Sequence, residues 1–262
     1  MKNFRNQLIF IKLGGSLITK KKPHTADFKK IREIAKEIHE ARKEKDFRLL
    51  IGNGGGSYPH IPAQKYKTAE GIINERSLKG IAEVQDAASK LNRIIVRALV
   101  DAGENAVSVQ PSSVCLTKNF RIVEFYTKPL EIFLEKNMVP AVYGDVGLDL
   151  KQGCSIISTE ELFVFLAKKL KPGKIILMAK VDGVYDEKGR VIPQINKNNF
   201  SGIKKVLKGA DKIDVTGGML HKVTEAIKMA RENIEVNIIG GEKGNLEKCL
   251  KGKKVGTQIK NF

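Results

Sequence analysis

Short apolar runs alternate along this chain with longer stretches in which apolar residues recur every three or four positions. The runs Leu8–Leu13, Arg48–Ile51, Ala106–Val109, Val139–Tyr143, Lys174–Ala179 and Glu235–Ile239 predict buried strands. The stretches Ala26–Lys43, Asn74–Asp101, Lys128–Glu135, Thr159–Leu170, Gly217–Arg231 and Asn245–Leu250 predict helices. In the first, Phe28, Ile31, Ile34, Ala35 and Ile38 fall at helical spacing. This alternation predicts an α/β fold, an αβα sandwich around a mainly parallel central sheet. Residues 112–127 and 146–157 break the pattern and read as β-hairpins, turning near Lys118-Asn119 and Gln152-Gly153. No linker or repeat divides the chain, so residues 1–262 read as one domain. A boundary near residue 170 would separate two lobes that share a sheet.

Charge adds a second constraint. Lys and Arg number 47 against 29 Asp and Glu, a formal charge of +18 that calls for an anionic partner. Nucleic acid, a nucleoside triphosphate and a phosphorylated metabolite all meet that requirement. Much of the excess, such as Lys29-Lys30 and Lys168-Lys169, sits on helix faces where solvation is the plainer reading. Aromatic content is low, with no Trp, and no aromatic–basic interleaving suggests a single-strand stacking platform. Cys115, Cys154 and Cys249 are odd in number and widely spaced, which argues against a disulfide framework or zinc site and predicts a reducing, cytoplasmic setting. Neither a signal peptide nor a membrane span is expected.

Candidate chemistry collects at strand ends, where open parallel sheets bind ligands. Lys12 precedes Gly14-Gly15-Ser16, and Lys20-Lys21 follow: bare N–H donors flanked by cations suit a polyphosphate, although the P-loop spacing is absent. The second strand runs into Gly54-Gly55-Gly56, with Pro59 and His60 beyond. Glycines let backbone approach a phosphate, and a histidine can donate to its oxygens. A tight turn with a surface histidine is the plainer reading of that segment alone. A dinucleotide fingerprint fails at Ser57. Gly144-Asp145 ends another strand, where Asp145 would orient a lysine or a backbone loop, or simply form a turn. Ser158 or Thr159 caps a helix that opens with Glu160. Lys180, Asp182, Gly183 and Tyr185 follow the strand Lys174–Ala179. Thr216 caps a helix whose first residues, Gly217, Gly218 and Met219, lead to His221 and Lys222. A cation in a first turn opposes the helix dipole, which marks Lys222 as functional; His221, on another face, reads as structural.

With these pieces in order the chain resembles the amino acid kinase superfamily, and within it the isopentenyl phosphate kinases, along nearly its whole length. The likeness rests on KLGGS, GGGSYPH, SVQPSS at Ser108–Ser113, YGDV, KVDGVYD and IDVTGGM with Lys222. It implies ATP as phosphoryl donor with Mg2+, isopentenyl phosphate as acceptor, an amino acid kinase-like fold with hairpins over the acceptor site, and a homodimer. Residues 1–170 would form the acceptor lobe and 171–262 the nucleotide lobe. By the same resemblance Lys12, Gly14, Gly15 and Ser16 contact ATP phosphates, and Lys21 and Lys222 stabilise the transferring group. Glu160 organises the lysines. Gly54, Gly55 and Gly56 lie between the phosphates, with Gly55 also touching donor. His60 holds the acceptor phosphate beside Pro59, Gly144, Asp145 and Thr159. Lys180, Asp182, Gly183 and Tyr185 border the nucleoside, and Gly218 and Met219 the triphosphate. No protein metal site is expected. Four places depart from the family's usual residues: Asn53 stands for His, Pro59 for Gly, Thr159-Glu160-Glu161 for Gly-Asp-Asp, and Lys180 for Asp. Two rivals stand beside this reading: a kinase of the same fold with another small phosphate or carboxylate acceptor, and a degenerate kinase fold that binds nucleic acid. Retention of Lys12, Lys21, His60 and Lys222 argues against the second, so nucleic acid is not expected.

Overall fold

A computed structural model describes residues 7–210 and 218–262. Asp214, Val215, Thr216 and Gly217 of the sequence motif lie outside the described residues. In chain order the elements are β1 (Leu8–Leu13), α1 (Gly15–Ile18), α2 (Phe28–Glu44), β2 (Arg48–Asn53), α3 (His60–Tyr66), α4 (Arg76–Asp101), β3 (Ala106–Ser108), β4 (Cys115–Lys118) and β5 (Arg121–Phe125). There follow α5 (Lys128–Glu135), β6 (Val139–Tyr143), β7 (Asp145–Asp149), β8 (Gly153–Ile157), α6 (Thr159–Leu170), β9 (Lys174–Ala179) and β10 (Gln194–Ile195). The chain closes with α7 (Phe200–Ala210), α8 (Gly218–Ala230), β11 (Glu235–Gly240), α9 (Asn245–Leu250) and β12 (Thr257–Ile259).

Eight strands form the central sheet in the order β10-β12-β11-β9-β1-β2-β6-β3. All neighbours run parallel except β11 and β12. β1 leads to β2 on one side and, much later, is flanked by β9 on the other, so its carboxyl end sits at a switch point. Alternate side chains of β1 enter different cores: Leu8 and Phe10 join one cluster, and Ile9, Ile11 and Leu13 the other. Lys12 is therefore in phase with Phe10, whose ring packs 5.1 Å from that of Phe163 on α6. β2 repeats the pattern: Leu50 faces the α6 side, and Leu49 and Ile51 face the α4 side with Leu91 and Ile95. Asn53 follows in that second phase and receives a hydrogen bond from Asn92 of α4 at 3.0 Å. Asn92 accepts in turn from Ser108 at 2.6 Å.

The two hairpins join into one four-stranded sheet, β5-β4-β7-β8, through parallel pairing of β4 with β7. Asp149 ties their turns together. Its carboxylate accepts from the N–H groups of Phe120 (2.8 Å) and Asn119 (3.2 Å) in one turn and Lys151 and Gln152 (both 2.9 Å) in the other. These donors outweigh the burial that opposes ionisation and hold its pKa down to about 2.

Every strand and helix expected from the pattern is present, with ends moved by a few residues; α8 is described from Gly218. Five further elements, α1, α3, α7, β10 and β12, are additional to it. α1, β10 and β12 are too short to express a period, and α3 contains Pro62. In α7 the spacing of Phe200, Ile203 and Leu207 carried the signal. Among the described residues no helix is long and apolar enough to cross a membrane.

Candidate active site

Both glycine segments leave the sheet at its carboxyl edge and meet there. Gly14 N–H donates to the Met178 carbonyl at 2.9 Å, and Gly54 N–H to that of Leu13 at 2.9 Å. A Cβ on Gly54 would come within 2.9 Å of the Gly15 nitrogen, and one on Gly15 would overlap the Gly56 nitrogen. The two loops thus touch backbone to backbone, which only residues without side chains permit. Gly56 also adopts φ +54°.

They form one wall of a cavity of about 370 Å³. Lys12, Gly14, Gly15 and Ser16 reach it from β1 and α1; Gly54, Gly55, Gly56, Pro59 and His60 reach it from β2 and α3. Gly144 and Asp145 come from the β6–β7 junction, Ser158, Thr159 and Glu160 from the start of α6, and Gly218, His221 and Lys222 from the start of α8. Helix amino termini converge on the same space, and their partial positive charge favours an anion there.

Lys12 and Glu160 form a buried ion pair. Burial would raise the Glu160 carboxyl, but the Lys12 charge and hydrogen bond, with smaller help from Lys222, hold it below the ordinary range. Ser158 caps α6 by accepting from Glu161 N–H at 3.0 Å. Thr159 turns its hydroxyl onto the Asn53 carbonyl at 2.7 Å, and Gly144 N–H reaches the same oxygen at 3.0 Å. Asp145 takes the backbone role rather than the lysine role: its carboxylate accepts from Ser112 N–H at 3.1 Å and Val146 N–H at 2.9 Å. Its burial raises its pKa. Pro59 lies flat on Gly55, with φ −78° that its ring accepts without strain, and His60 opens α3 immediately after it. Partial desolvation lowers the His60 pKa.

Several expected residues stand elsewhere. Lys21 is exposed in the turn after α1 and does not line the cavity. Lys180, Asp182, Gly183 and Tyr185 lie past Ala179, which does line it. They form a turn of their own, in which Val184 N–H donates to Thr257 at 2.8 Å and Asp182 N–H to the Tyr185 hydroxyl at 3.4 Å. Met219 packs against the hydrophobic core instead of the cavity. One reading needs correction: His221 is exposed on the cavity wall beside Lys222. Ala63, Val84, Ile156 and Ile157 supply apolar lining. Spacing alone could not distinguish those four from ordinary core positions.

Among proteins of known activity, the isopentenyl phosphate kinase of Methanocaldococcus jannaschii is 35% identical over 96% of this chain and 98% of its own length. That of Methanothermobacter thermautotrophicus is 36% identical over the same shares. A crystal structure of an isopentenyl phosphate kinase superposes with a TM-score of 0.82 at 32% identity, covering 96% of this chain and 99% of that one. The family model for amino acid kinases matches residues 7–240. The chain belongs to the amino acid kinase family as a small-molecule kinase.

Proposed function

We propose that the chain transfers the γ-phosphoryl group of ATP to isopentenyl phosphate, giving isopentenyl diphosphate and ADP. One observation carries the choice of acceptor. The cavity is lined by polar groups, His60 and the glycine loop, and by the apolar side chains of Ala63, Val84, Ile156 and Ile157. A phosphomonoester with a short hydrocarbon tail uses both kinds of lining. A carboxylate acceptor would leave the apolar wall unused, and the cavity volume lies in the range of small-ligand sites, roughly 300–1,000 Å³.

In this reading an oxygen of the acceptor phosphate attacks the γ-phosphorus, and the bond to the β–γ bridging oxygen breaks as ADP leaves. The nucleophile is already an anionic oxygen, so the chain's task is positioning and charge stabilisation. Lys12, held by Glu160, and Lys222 face the transferring group, and the N–H groups of Gly14–Ser16 and Gly54–Gly56 supply donors to its equatorial oxygens. Lys21 would join them when its turn folds over bound nucleotide. His60 would hold the acceptor phosphate. Lys180, Asp182, Gly183 and Tyr185 would border the nucleoside, with Met219 close to the triphosphate, making 171–262 the nucleotide lobe and 1–170 the acceptor lobe. No three His, Cys, Asp or Glu side chains among the described residues converge as a metal cage. The donor would be MgATP, its phosphates supplying oxygen ligands for the ion. The three cysteines are buried and free, which supports a reducing cytoplasm. The family likeness supports a homodimer.

The test is an acceptor panel with radiolabelled ATP: isopentenyl phosphate, dimethylallyl phosphate, acetylglutamate, uridylate and carbamate. The reading expects kcat/KM for isopentenyl phosphate at least tenfold above the last three. Preferential labelling of acetylglutamate, uridylate or carbamate would overturn it.

A further inference from the structure

The turn that carries Lys21 is hydrogen-bonded to the acceptor loop at Ser57. It is closed on itself by Lys20 N–H to the Thr25 carbonyl (2.9 Å) and Asp27 N–H to the Ile18 carbonyl (2.8 Å). Its two hydrogen bonds to the second glycine loop both fall on Ser57, and the His24 ring packs edge-on against Tyr58 at 5.5 Å. Ser57 N–H donates to the Thr19 hydroxyl at 3.1 Å, and the Ser57 carbonyl accepts from His24 N–H at 3.3 Å. The same Thr19 hydroxyl donates to the Gly15 carbonyl at 2.8 Å. One oxygen therefore joins the first glycine loop, the second glycine loop and the root of the lysine turn, using its single proton and one lone pair. Gly56 accommodates this approach, since a Cβ there would overlap the threonine oxygen. Thr19 is itself absent from the cavity wall.

We propose that Thr19 is a positioning residue that fixes the spacing of the donor and acceptor phosphates. The inference rests on the phosphoryl-transfer reading above. If Gly15 belongs to the donor side and Gly54–Gly56 lie between the phosphates, the Thr19 hydroxyl sets the distance between the loops. It does so without touching either substrate. A gap wider by a fraction of an ångström leaves each substrate bound but lengthens the in-line approach. Loss of the hydroxyl thus acts on turnover rather than affinity.

The test compares Thr19→Val, which keeps the shape and removes both hydrogen bonds, with Thr19→Ser, which keeps the hydroxyl. With MgATP and isopentenyl phosphate, T19V is expected to lower kcat at least tenfold while either KM moves less than threefold. T19S should stay within threefold of the parent. In the unliganded protein, amide hydrogen exchange at Gly54–Ser57 should quicken at least tenfold in T19V, with β1 and β2 unchanged. Parent-like kcat in T19V, unchanged exchange at Gly54–Ser57, or a parallel loss of melting temperature and both KM values that serine does not restore would each overturn the proposal. If the parent itself does not phosphorylate isopentenyl phosphate, the functional reading fails, and the exchange measurement still decides whether Thr19 holds the loops together.

Discussion

Lys12 and Glu160, 148 residues apart in sequence, meet as a buried ion pair at the carboxyl edge of the central sheet. The strand phase that aims Phe10 at α6 also aims Lys12 there, and Ser158 capping brings Glu160 into the first turn. Removing one partner of a buried pair leaves the other uncompensated, at a cost of about 3–5 kcal/mol. Glu160→Gln is therefore expected to lower the melting temperature and reduce kcat at least tenfold, measured by thermal melts and initial rates. Glu160→Asp should retain the fold and most of the turnover. Parent-like rates in E160Q would remove the pair from the reaction.

His60 should respond to the acceptor in a defined direction. Partial desolvation lowers its pKa in the free protein. A phosphate dianion alongside reverses that balance and raises the pKa. Acceptor binding is then expected to be accompanied by proton uptake at His60. Imidazole NMR titration with and without isopentenyl phosphate checks the shift. His60→Ala should lose most acceptor turnover, about 10²-fold if it acts in the manner of a positioned catalytic donor, while ATP still binds. An unmoved His60 titration would exclude it as a phosphate partner.

The contact between the glycine loops leaves no room for a methyl group. Gly15→Ala and Gly56→Ala each place a Cβ into the opposing backbone or the Thr19 hydroxyl, and Gly56 adds the strain of a positive φ. A shift of about 1 Å at the reacting centre can cost 10²-fold, which is the expected fall in kcat/KM for both variants. Steady-state kinetics on folded protein, verified by circular dichroism, would expose any tolerance.

Asp149 predicts an acid limb in stability. Its folded pKa of about 2 lies below the ordinary 3.8, so its contribution is full above pH 4 and fades as pH falls from about 4 to about 2. Asp149→Asn should lower the melting temperature at pH 7 by roughly 2–6 °C, equivalent to about 1–2 kcal/mol in a domain of this size. It should also flatten the pH dependence between 4 and 2. An unaltered acid limb in D149N would assign it to other carboxylates.

The main layers were legible because β1, β2, β6, β9 and β11 are continuous apolar runs, and their phase alone determines that Lys12 and Asn53 fall on opposite faces. Lys12, Gly54–Gly56, His60, Glu160 and Lys222, which the fold brings to one cavity, stand at strand or helix ends where local chemistry is conspicuous. What resisted was direction and company. Helical spacing separates His221 from Lys222 by about 100°, yet both line the cavity. The apolar wall joins α3 and α4 to the distant β8, so nothing local marks Ala63, Val84 or Ile156. The union of two hairpins into one sheet depends on Leu116 pairing with Leu148, a long-range register without a sequence signature.

That second sheet has a consequence for how such an enzyme can diversify. The glycine loops and the Lys12–Glu160 pair are anchored in the eight-stranded sheet and α6, whereas Ile156 and Ile157 ride on the separate four-stranded one with its own Asp149 clasp. Substitutions that reshape the hydrocarbon end can accumulate on one support while the transfer geometry is inherited intact on the other. That separation holds for Ile156 and Ile157 alone, since Ala63 shares α3 with His60 and Val84 stands on α4.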